Sequence, residues 1–456
     1  MENITINQVV NATKGIYYGK EKLKSTLLTS VVIDSRKAKE GSLFIALPGE
    51  KVDGHSFIPE VVKSGALCII SEKKLSKDLE PYILVDSSKK AFIEFAKYLR
   101  GQLDIKVVGV TGSVGKTSPR EMIASVLSEE YKVFKTTGNH NNDLGISLML
   151  SGIDNSIEIA VLEMGISEFG EMHLLSEIVR PDICVINNIE PCHLESLGDL
   201  DGVLKAKTEM FDFMAKDGNI VLNGDSEKLI QIQNVKGIKP VFFGINKKHD
   251  VYAENIEKHG LKGTSAMLVV KGEAVPVNIP VPGEHVIMNA LAAAAVGNCM
   301  NISYENIKKG VENVSGVEGR LNIIENKNHT IIDDCYNASP ASMKAGISVL
   351  ASAEGRKVAI LGDMLELGNE KEQYHMSTGE FAAEEEIDLI ICIGELGKLI
   401  KDGADKANKG NSEVVYFMTK EEFMAVSDKY INKGDVILVK ASNGMKFKEI
   451  LNHLKK

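Results

Sequence analysis

The chain has 456 residues, of which 25% are charged and 44% are hydrophobic, and its formal net charge is −10. This length predicts more than one domain, and the ordinary balance of charged and hydrophobic residues excludes global disorder. The negative net charge argues against a nucleic-acid partner, because proteins that bind nucleic acids usually present a basic face. The cysteines are scattered without a CxxC pair, which indicates a reducing compartment with neither zinc nor disulfides.

The N-terminal stretch MENITINQVVNATKG is polar and contains no apolar segment, so we expect no signal peptide. No apolar run approaches the roughly 18 residues that would span a bilayer. We therefore expect a cytoplasmic protein that does not insert into membranes.

Three blocks of alternating strands and helices follow one another along the chain. Residues 1–99 contain predicted strands in SVVIDS, SLFIAL, ALCIIS and YILV, and a predicted helix in AFIEFAKYLRG. Residues 100–316 add strands in IEIAVLEMG and DICVINNI and end in the alanine-rich helix PGEHVIMNALAAAAVGNCM. Residues 317–456 contain strands in HTIIDDCY, KVAILGD, LIICIG and DVILVKAS. This alternation predicts an α/β fold of three domains with mostly parallel sheets.

The stretch VVGVTGSVGKTS, residues 107–118, predicts a binding site for the phosphates of a nucleotide. A buried strand is followed by a glycine-rich turn and a helix, so backbone N–H groups and the helix N-terminus would face the phosphate oxygens. Lys116 would reach the outer phosphates, and the Thr117 hydroxyl would bind Mg²⁺. Val110 stands where the strict P-loop pattern requires glycine, and the alternative is an ordinary strand-to-helix turn. The predicted nucleotide-binding residues are Gly112, Ser113, Gly115, Lys116, Thr117 and Ser118.

Polar side chains follow two further strands of the same predicted sheet. Glu163 ends the strand IAVLE, and Asn188 and His193 follow the strand DICVIN. Ligands of open α/β sheets gather at the carboxyl ends of the strands, so a carboxylate and an imidazole there would suit a divalent metal. The alternatives are a salt bridge at the strand end for Glu163 and a locally hydrogen-bonded loop histidine for His193.

Three other polar stretches are candidate ligand sites. The segment TTGNHNNDLG could bind a sugar or nucleobase through its asparagines, although an asparagine-rich turn is the alternative. The segment DDCYNASP could form a ribose or amine site, and it also predicts a helix N-cap with Pro340 in the first turn. Ser35 and Arg36 follow a strand, where they could grip a diphosphate. The asparagines of the first segment are Asn139, Asn141 and Asn142.

Taken in order, these motifs resemble the Mur ligase family, the ATP-dependent amide-forming enzymes of peptidoglycan synthesis. The resemblance covers essentially the whole chain. The segments LGDMLELG and YNASPASM are most similar to the member that joins D-alanyl-D-alanine to UDP-N-acetylmuramoyl-tripeptide. The resemblance implies an N-terminal UDP-sugar-binding domain (1–99), a central ATP-binding domain (100–316) with a P-loop-type sheet, and a Rossmann-like C-terminal domain (317–456) that contacts ATP and the dipeptide.

The resemblance also implies roles for individual residues. The catalytic residues would be Lys116, His193, Lys207 and Arg320. The ligands of two Mg²⁺ ions would be Thr117, Glu163, His193 and Lys207, the last of them carbamylated. Asn289 would contact adenine, while Arg320 and Asp334 would reach the γ-phosphate and the ribose. The substrate contacts would be Ser35, Arg36, Asn139 and Asn142 near the UDP-sugar and Asn337 at the dipeptide. Without the resemblance, Lys207 would be interpreted as a solvated helix lysine.

Some positions depart from the family pattern. Ser147 replaces a proline, Ser339 replaces an asparagine, and Asn443 stands where the family has an arginine. The loss of that cationic fork leaves open a paralogue with another acceptor. A separate alternative, of a different class, is a P-loop ATPase that switches a partner without forming a bond. A sibling ligase or a folylpolyglutamate synthetase is disfavoured by LGDMLELG. The family suggests a monomer.

Overall fold

The computed structural model describes residues 4–49, 51–283 and 285–455. The chain divides into two compact units. The first unit contains the residues up to Tyr252 together with Val270–Glu273 and Ala290–Gly310. The second unit contains Ala253–Val269, Ala274–Asn289 and the residues from Val311 onward. The sequence-based boundaries near residues 99 and 316 stay predictions.

The first sheet lies near the N-terminus and has the strand order β1-β5-β4-β3-β2. Its elements are α1 (Ile6–Thr13), β1 (Ile16–Tyr18), β2 (Ser30–Val32), β3 (Ser42–Ile45), α2 (Ile58–Lys63), β4 (Cys68–Ser71), β5 (Tyr82–Leu84) and α3 (Ser88–Gln102). Strands β2 to β5 run parallel, and β1 pairs antiparallel with β5. Helices α1 and α3 pack on one face and α2 on the other, so the sheet is covered on both sides.

From β12 to β7 the second sheet is parallel and has the order β12-β11-β10-β9-β6-β8-β7, and of β12 only Val251 and Tyr252 belong to the first unit. Its elements are β6 (Lys106–Thr111), α4 (Thr117–Ser128), β7 (Val133–Lys135), α5 (Asp143–Ser151), β8 (Ile159–Glu163), α6 (Glu171–Val179), β9 (Ile183–Ile186), α7 (Leu194–Leu197), α8 (Leu200–Thr208), β10 (Asn219–Asn223), β11 (Val241–Gly244) and β12 (Val251–Lys258). Strand β6 lies between β8 and β9, which explains why its residues are almost all apolar.

Helix α3 joins the first sheet to the second. The Lys89 ammonium lies 2.8 Å from the carboxylate of Asp143 on α5. Leu144 and Leu148, also on α5, pack against the apolar cluster of the first sheet. At the other end of α3, Arg100 Nε donates a 2.7 Å hydrogen bond to a main-chain oxygen of α6. The two sheets of the first unit are therefore tied by apolar and polar contacts.

Two strands and two helices lie between the second and third sheets in sequence. They are β13 (Thr264–Val270), β14 (Glu273–Ile279), α9 (His285–Cys299) and α10 (Tyr304–Glu312). The alanines of α9 are fully buried, and a Cβ added at Gly297 would lie 3.0 Å from a Val126 methyl of α4. The small side chains of α9 therefore allow the close packing that the sequence predicted.

The third sheet lies in the second unit and has the order β15-β16-β20-β17-β18-β19. Its elements are β15 (Asn322–Glu325), β16 (Thr330–Asp333), α11 (Pro340–Ala351), β17 (Lys357–Gly362), α12 (Lys371–Glu384), β18 (Leu389–Ile393), α13 (Gly397–Ala407), β19 (Glu413–Phe417), α14 (Lys420–Met424), β20 (Val436–Lys440) and α15 (Lys448–Leu454). All its ladders are parallel except β15 with β16. Mostly parallel sheets in an α/β fold are thus confirmed.

No helix in the described part of the chain is long and apolar enough to cross a membrane.

Candidate active site

The predicted phosphate loop connects the end of β6 to the start of α4. Ser113 N and Val114 N donate to Asn188, at 3.2 Å to its main-chain oxygen and at 3.1 Å to its side-chain oxygen. The Asn188 amide returns a 3.0 Å hydrogen bond to Val114 O. A Cβ at Gly112 would lie 3.1 Å from Asn188 Oδ1, so glycine allows this close approach. Asn188 thus stabilises the loop from both its main chain and its side chain. Gly115 has the left-handed backbone that the turn requires, with φ of 63°.

Lys116 and Thr117 occupy the positions that the phosphate-loop interpretation assigns to them. Lys116 Nζ folds back over the loop and donates to the main-chain oxygens of Gly112 at 3.1 Å and Ser113 at 3.3 Å. Thr117 and Ser118 are the first two residues of α4, where free N–H groups point out of the helix end. A short buried strand, a glycine turn and a helix N-terminus therefore come together as predicted.

Glu163, at the end of β8, is the residue on which this edge of the sheet converges. The Thr117 hydroxyl donates to its Oε2 at 3.0 Å, and Arg120 Nη1 lies 3.3 Å from the same oxygen. The Asn141 amide donates to Oε1 at 2.9 Å. The carboxylate is only 4% exposed, and these donors compensate for its burial. The position of Glu163 beside the loop agrees with the rule that strand ends share one edge.

Arg120 is a residue of this cluster that the sequence analysis missed. It lies on α4 and is 3% exposed. Its guanidinium also pairs with Glu121, which in turn pairs with Lys135. Its Nε has no hydrogen-bond partner in the described structure. An arginine in the first turn of a helix suggests a solvated side chain. Only the segment GKTSPRE, with its position beside a strand-end carboxylate, could have indicated otherwise.

His193 and Lys207 are the two other predicted metal ligands. His193 is exposed, precedes α7 and has a left-handed backbone with φ of 50°, beyond the carboxyl end of β9. Lys207, in α8, is 1% exposed. Burial, together with the nearby Lys116 ammonium, lowers the pKa of Lys207 from 10.5 to about 8. A lysine that looks solvated in sequence is therefore buried and titrates closer to neutrality.

The donor set near the loop can be tested for its fit to Mg²⁺. Glu163 and Thr117 offer a carboxylate and a hydroxyl oxygen that already share one hydrogen bond. Among the described residues, no three His, Cys, Asp or Glu side chains form a metal cluster. Mg²⁺ is commonly held by one or two carboxylates together with the phosphates of its nucleotide. The residues present fit such an ion.

The predicted UDP-sugar contacts occupy different surroundings. Arg36 is exposed, and its guanidinium makes paired hydrogen bonds of 2.9 and 2.7 Å with Asp34, next to Ser35 in a short 3₁₀ helix. Asn139 is exposed in the loop before α5. The Asn142 side chain caps α5 by accepting a 2.8 Å hydrogen bond from Gly145 N. Asn142 thus has a structural role, whereas its neighbour Asn141 contacts Glu163.

Four predicted site residues lie in the second unit. Asn289 is buried on α9, and Asn337 is exposed before α11. The Arg320 guanidinium lies 4.1 Å from the centre of the Tyr336 ring. Asp334 is buried after β16, where it accepts from Leu321 N at 3.2 Å and pairs with Lys440 at 2.6 Å. Burial raises the pKa of Asp334, and the Lys440 ammonium opposes that rise.

The segment LGDMLELG begins in β17 and forms the loop that follows it. Asp363 accepts a 2.7 Å hydrogen bond from Gly397 N, and burial raises the pKa of its carboxyl. The buried ring of His375 accepts from Met364 N at 2.9 Å, and Ser442 accepts from Leu365 N at 2.8 Å. His375 was not singled out from the sequence, and its place inside α12 gave no signal. The loop is therefore fixed by polar contacts from α12, from the start of α13 and from the residues after β20.

The three departures from the family pattern have different local structures. Ser147 is buried in α5, and its hydroxyl has no hydrogen-bond partner in the described residues. Ser339 is the N-cap of α11 and forms a capping box with Ser342, with Pro340 at the first helical position. Asn443 is exposed at the start of a 3₁₀ turn. The predicted N-cap of DDCYNASP is confirmed.

Models of the Mur ligase family match three stretches of the chain. The model of the catalytic domain matches residues 27–100, the model of the middle domain residues 110–297, and the model of the glutamate ligase domain residues 319–443. Two solved structures named MurF, from Acinetobacter baumannii and Thermotoga maritima, are similar over their length. The first is 31% identical with a TM-score of 0.90 and covers 100% of this chain and 99% of its own. The second, a complex with ADP, is 27% identical with a TM-score of 0.80 and covers 93% and 97%.

Two relatives named UDP-N-acetylmuramoyl-tripeptide--D-alanyl-D-alanine ligase are similar along the whole chain. The one from Bacillus subtilis is 36% identical and covers 99% of this chain and 98% of its own. The one from Escherichia coli is 34% identical and covers 100% and 99%. The likeness extends through all three sheets, and its three-domain α/β fold agrees with the fold class predicted from the sequence. The chain therefore belongs to the Mur ligase family.

Proposed function

We propose that this chain joins D-alanyl-D-alanine to UDP-N-acetylmuramoyl-tripeptide with ATP as the energy source, an amide-forming step of peptidoglycan synthesis. The observation that carries the proposal is the hydrogen bond of 3.0 Å between the Thr117 hydroxyl and Glu163 at the end of the phosphate loop. It supports the proposal because the carboxylate that would bind Mg²⁺ lies beside the loop that would hold the triphosphate. Relatives named for this activity, similar over the full length, support the choice of substrates.

The reaction has two steps. The terminal carboxylate of the tripeptide attacks the γ-phosphorus of ATP, so that an acyl phosphate forms and ADP leaves. The amine of the dipeptide then attacks the acyl carbon, the amide bond forms, and phosphate leaves with a proton released from the amine. Phosphoryl transfer depends on positioning and charge neutralisation more than on covalent help from the protein.

The chain's own residues would supply that positioning. Lys116 would exchange its bonds to the loop oxygens for the outer phosphates, and Arg320 would neutralise the γ-phosphate. Thr117 and Glu163 would hold Mg²⁺ together with His193, and the ion would neutralise phosphate charge. Two Mg²⁺ ions are expected. The remaining nucleotide contacts would be made by Gly112, Ser113, Gly115, Ser118, Asn289 and Asp334.

Lys207 would be the ligand of the second ion in its carbamylated form. A lysine amine reacts with CO₂ only when it has lost its proton, and the reaction releases one proton as the carbamate forms. With its pKa lowered to about 8, an appreciable fraction of Lys207 is neutral near physiological pH. Its burial would also protect the carbamate from water. Lys207 is therefore suited to the modification that the resemblance implies.

The substrates would contact the residues named in the sequence analysis. Ser35, Arg36, Asn139 and Asn142 would lie near the UDP-sugar, and Asn337 would face the dipeptide. Arg36 would have to share its guanidinium with Asp34, to which it is bonded. The domain division would be 1–99, 100–316 and 317–456. We further propose a cytoplasmic monomer that binds no nucleic acid.

Release of phosphate, measured with and without each co-substrate, tests this function. A ligase should release phosphate only when ATP, UDP-N-acetylmuramoyl-tripeptide and a dipeptide are all present, and mass spectrometry should detect the new amide. Lys116→Ala should abolish release in every mixture. Release with ATP alone would support the alternative ATPase. A product with a dipeptide other than D-alanyl-D-alanine would support a paralogue with another acceptor, which Asn443 in place of the family's arginine leaves open.

A further inference from the structure

Lys440, the last residue of β20, is a buried cation that the sequence analysis did not single out. Its side chain is 2% exposed, and its ammonium lies 2.6 Å from Asp334 Oδ2. It also donates a 3.2 Å hydrogen bond to the main-chain oxygen of Asn337. Burying an ammonium is costly unless it is paired and hydrogen-bonded, so these two contacts compensate for the desolvation of the Lys440 ammonium. One side chain thus connects the end of β16 to the loop before α11.

The turn that carries Arg320 is fixed by the two aspartates at the end of β16. Asp333 accepts a 2.9 Å hydrogen bond from Gly319 N, and Asp334 accepts a 3.2 Å hydrogen bond from Leu321 N. Both residues that flank Arg320 have left-handed backbones, with φ of 76° and 50°. A leucine in that conformation is held there by its surroundings. The orientation of Arg320 therefore depends on where Asp334 is held.

Tyr336 fixes the guanidinium of Arg320 from the other side. Tyr336 N donates a 3.2 Å hydrogen bond to Gly319 O, and its ring lies 4.1 Å from the Arg320 guanidinium carbon. Asn337 directly follows Tyr336 in the chain, and its main-chain oxygen accepts a hydrogen bond from Lys440. The ammonium of Lys440 thus supports the same turn through Asp334 and through the loop that follows it.

We propose that Lys440 is a positioning residue that sets the geometry of Asp334, Arg320 and Asn337 together. The proposal rests on the proposed function, in which these three residues contact the nucleotide and the dipeptide. Because Lys440 is buried behind Asp334, it would touch neither substrate and would act only through its neighbours. Loss of its ammonium should therefore weaken the binding of both the nucleotide and the dipeptide.

The surroundings of Lys440 leave little space for another arrangement. A Cβ added at Gly346 of α11 would lie 3.3 Å from both Asp334 Oδ2 and Lys440 Cδ. A methionine at position 440 would fill the same volume without a charge or a donor. Asp334 would then lose its cation while still accepting from Leu321 N. Lys440→Met therefore removes the interaction with little change in packing.

The same strand offers a matched control at its other end. Asp435, directly before β20, is buried and pairs with Arg356 at 2.8 Å. Arg356→Met also removes the cation of a buried carboxylate, but that carboxylate lies just before the amino end of β20, away from Asp334. Its effect on unfolding should resemble that of Lys440→Met, whereas its effect on binding should not.

The test is to measure ADP affinity by calorimetry, the KM values for ATP and D-alanyl-D-alanine, and thermal unfolding for the full chain and its variants. We expect Lys440→Met to weaken ADP binding and to raise the KM for the dipeptide by about 10- to 100-fold, the loss typical of a misplaced binding group. Arg356→Met should change both by less than about twofold. Lys440→Gln, which keeps a donor without charge, should lie between.

A double variant shows whether Lys440 acts through Asp334. In an Asp334→Asn background, Lys440→Met should weaken ADP binding much less than it does in the wild type. Unchanged ADP affinity and KM values in Lys440→Met, or equal losses in Arg356→Met, would overturn the proposal. Failure of both Lys440 variants to fold would also overturn it, since the role would then be stability. Because ADP binding needs no ligation, a wild type that forms no amide would count against the proposed function alone.

Discussion

Each compact unit contains a buried carboxylate held by a buried cation, and the two pairs are built differently. In the first unit, Arg120 reaches Glu163 at 3.3 Å and shares its guanidinium with Glu121. In the second unit, Lys440 lies 2.6 Å from Asp334. One carboxylate oxygen of Glu163 accepts hydrogen bonds from both Thr117 and Arg120. In Asp334, one oxygen pairs with Lys440 and the other accepts from a backbone N–H.

The difference suits two different tasks. The hydrogen bond between Arg120 and Glu163 is long, and the guanidinium also pairs with Glu121. Another cation could therefore bind Glu163 Oε2 while Arg120 stays paired with Glu121. The contact between Lys440 and Asp334 is short and linked to the backbone, so it fixes a geometry. The first arrangement would suit the exchangeable metal ligand that we propose for Glu163, and the second would suit a rigid support.

Replacing Glu163 by glutamine should have the largest effect on activity of all the changes to these two pairs. Glu163→Gln removes the charge that Mg²⁺ and Thr117 would share, and turnover should fall on the order of 10³-fold, as on loss of a preorganised electrostatic group. Glu163→Asp, which keeps the charge, should lose less. Initial rates over a range of Mg²⁺ concentrations measure both, and a glutamine variant with wild-type rates would exclude Glu163 as a ligand.

Removing the cation of the first pair should mainly affect stability. Arg120→Met leaves the buried Glu163 and Glu121 without their common partner, and unfolding in urea should show a loss of about 3 kcal/mol, the scale for breaking a buried pair. Mg²⁺ should then restore part of the stability, because it would replace the missing charge. A variant as stable as the wild type would show that Arg120 is dispensable for Glu163.

Two adjacent asparagines, Asn141 and Asn142, allow a test of whether the contacts of Glu163 matter for activity. Asn141→Ala removes a donor to the carboxylate and should lower kcat by about tenfold, as loss of a residue supporting a metal ligand does. Asn142→Ala removes the cap of α5 and should cost about 1 kcal/mol of stability. The two variants should therefore separate in activity and in urea unfolding. Equal activities would contradict the assignment.

Lys207 is a third buried cation, and no hydrogen-bond or ion-pair partner is seen for it among the described residues. Its pKa is lowered from 10.5 to about 8, so between these pH values the unfolded chain binds a proton that the folded chain does not. Stability should therefore rise with pH through this window. Urea unfolding in CO₂-free buffer should show the free-energy difference between the wild type and Lys207→Met increasing from about pH 8 to pH 10.5. A flat difference would contradict the shift.

The sequence predicted the sheets and the phosphate loop well, because both depend on local patterns. The strand around Val107–Val110 is apolar on both faces and the turn after it is rich in glycine, so the loop and the end of β8 could be placed on one edge. The predicted neighbourhood of Glu163 followed from that rule alone.

The residues that were missed depend on burial, which local patterns do not reveal. Arg120 and Lys440 are a helix residue and a strand-end residue, and both positions usually face solvent. Lys207 looked solvated for the same reason, and only the resemblance gave it a role. The expected place of Asn142 at a substrate stays a prediction, and the cap that its side chain forms on α5 was not foreseen. Tertiary packing decided these cases.

Three consecutive residues connect helix α3 to the edge of the second sheet where β8 ends. Asn141 bonds to Glu163, Asn142 begins α5, and Asp143 pairs with Lys89 on α3. A shift of α3 would therefore be transmitted to the carboxylate of Glu163 with little intervening chain to absorb it. A change in the place or angle of the first sheet would therefore also move the side chains that hold the Glu163 carboxylate.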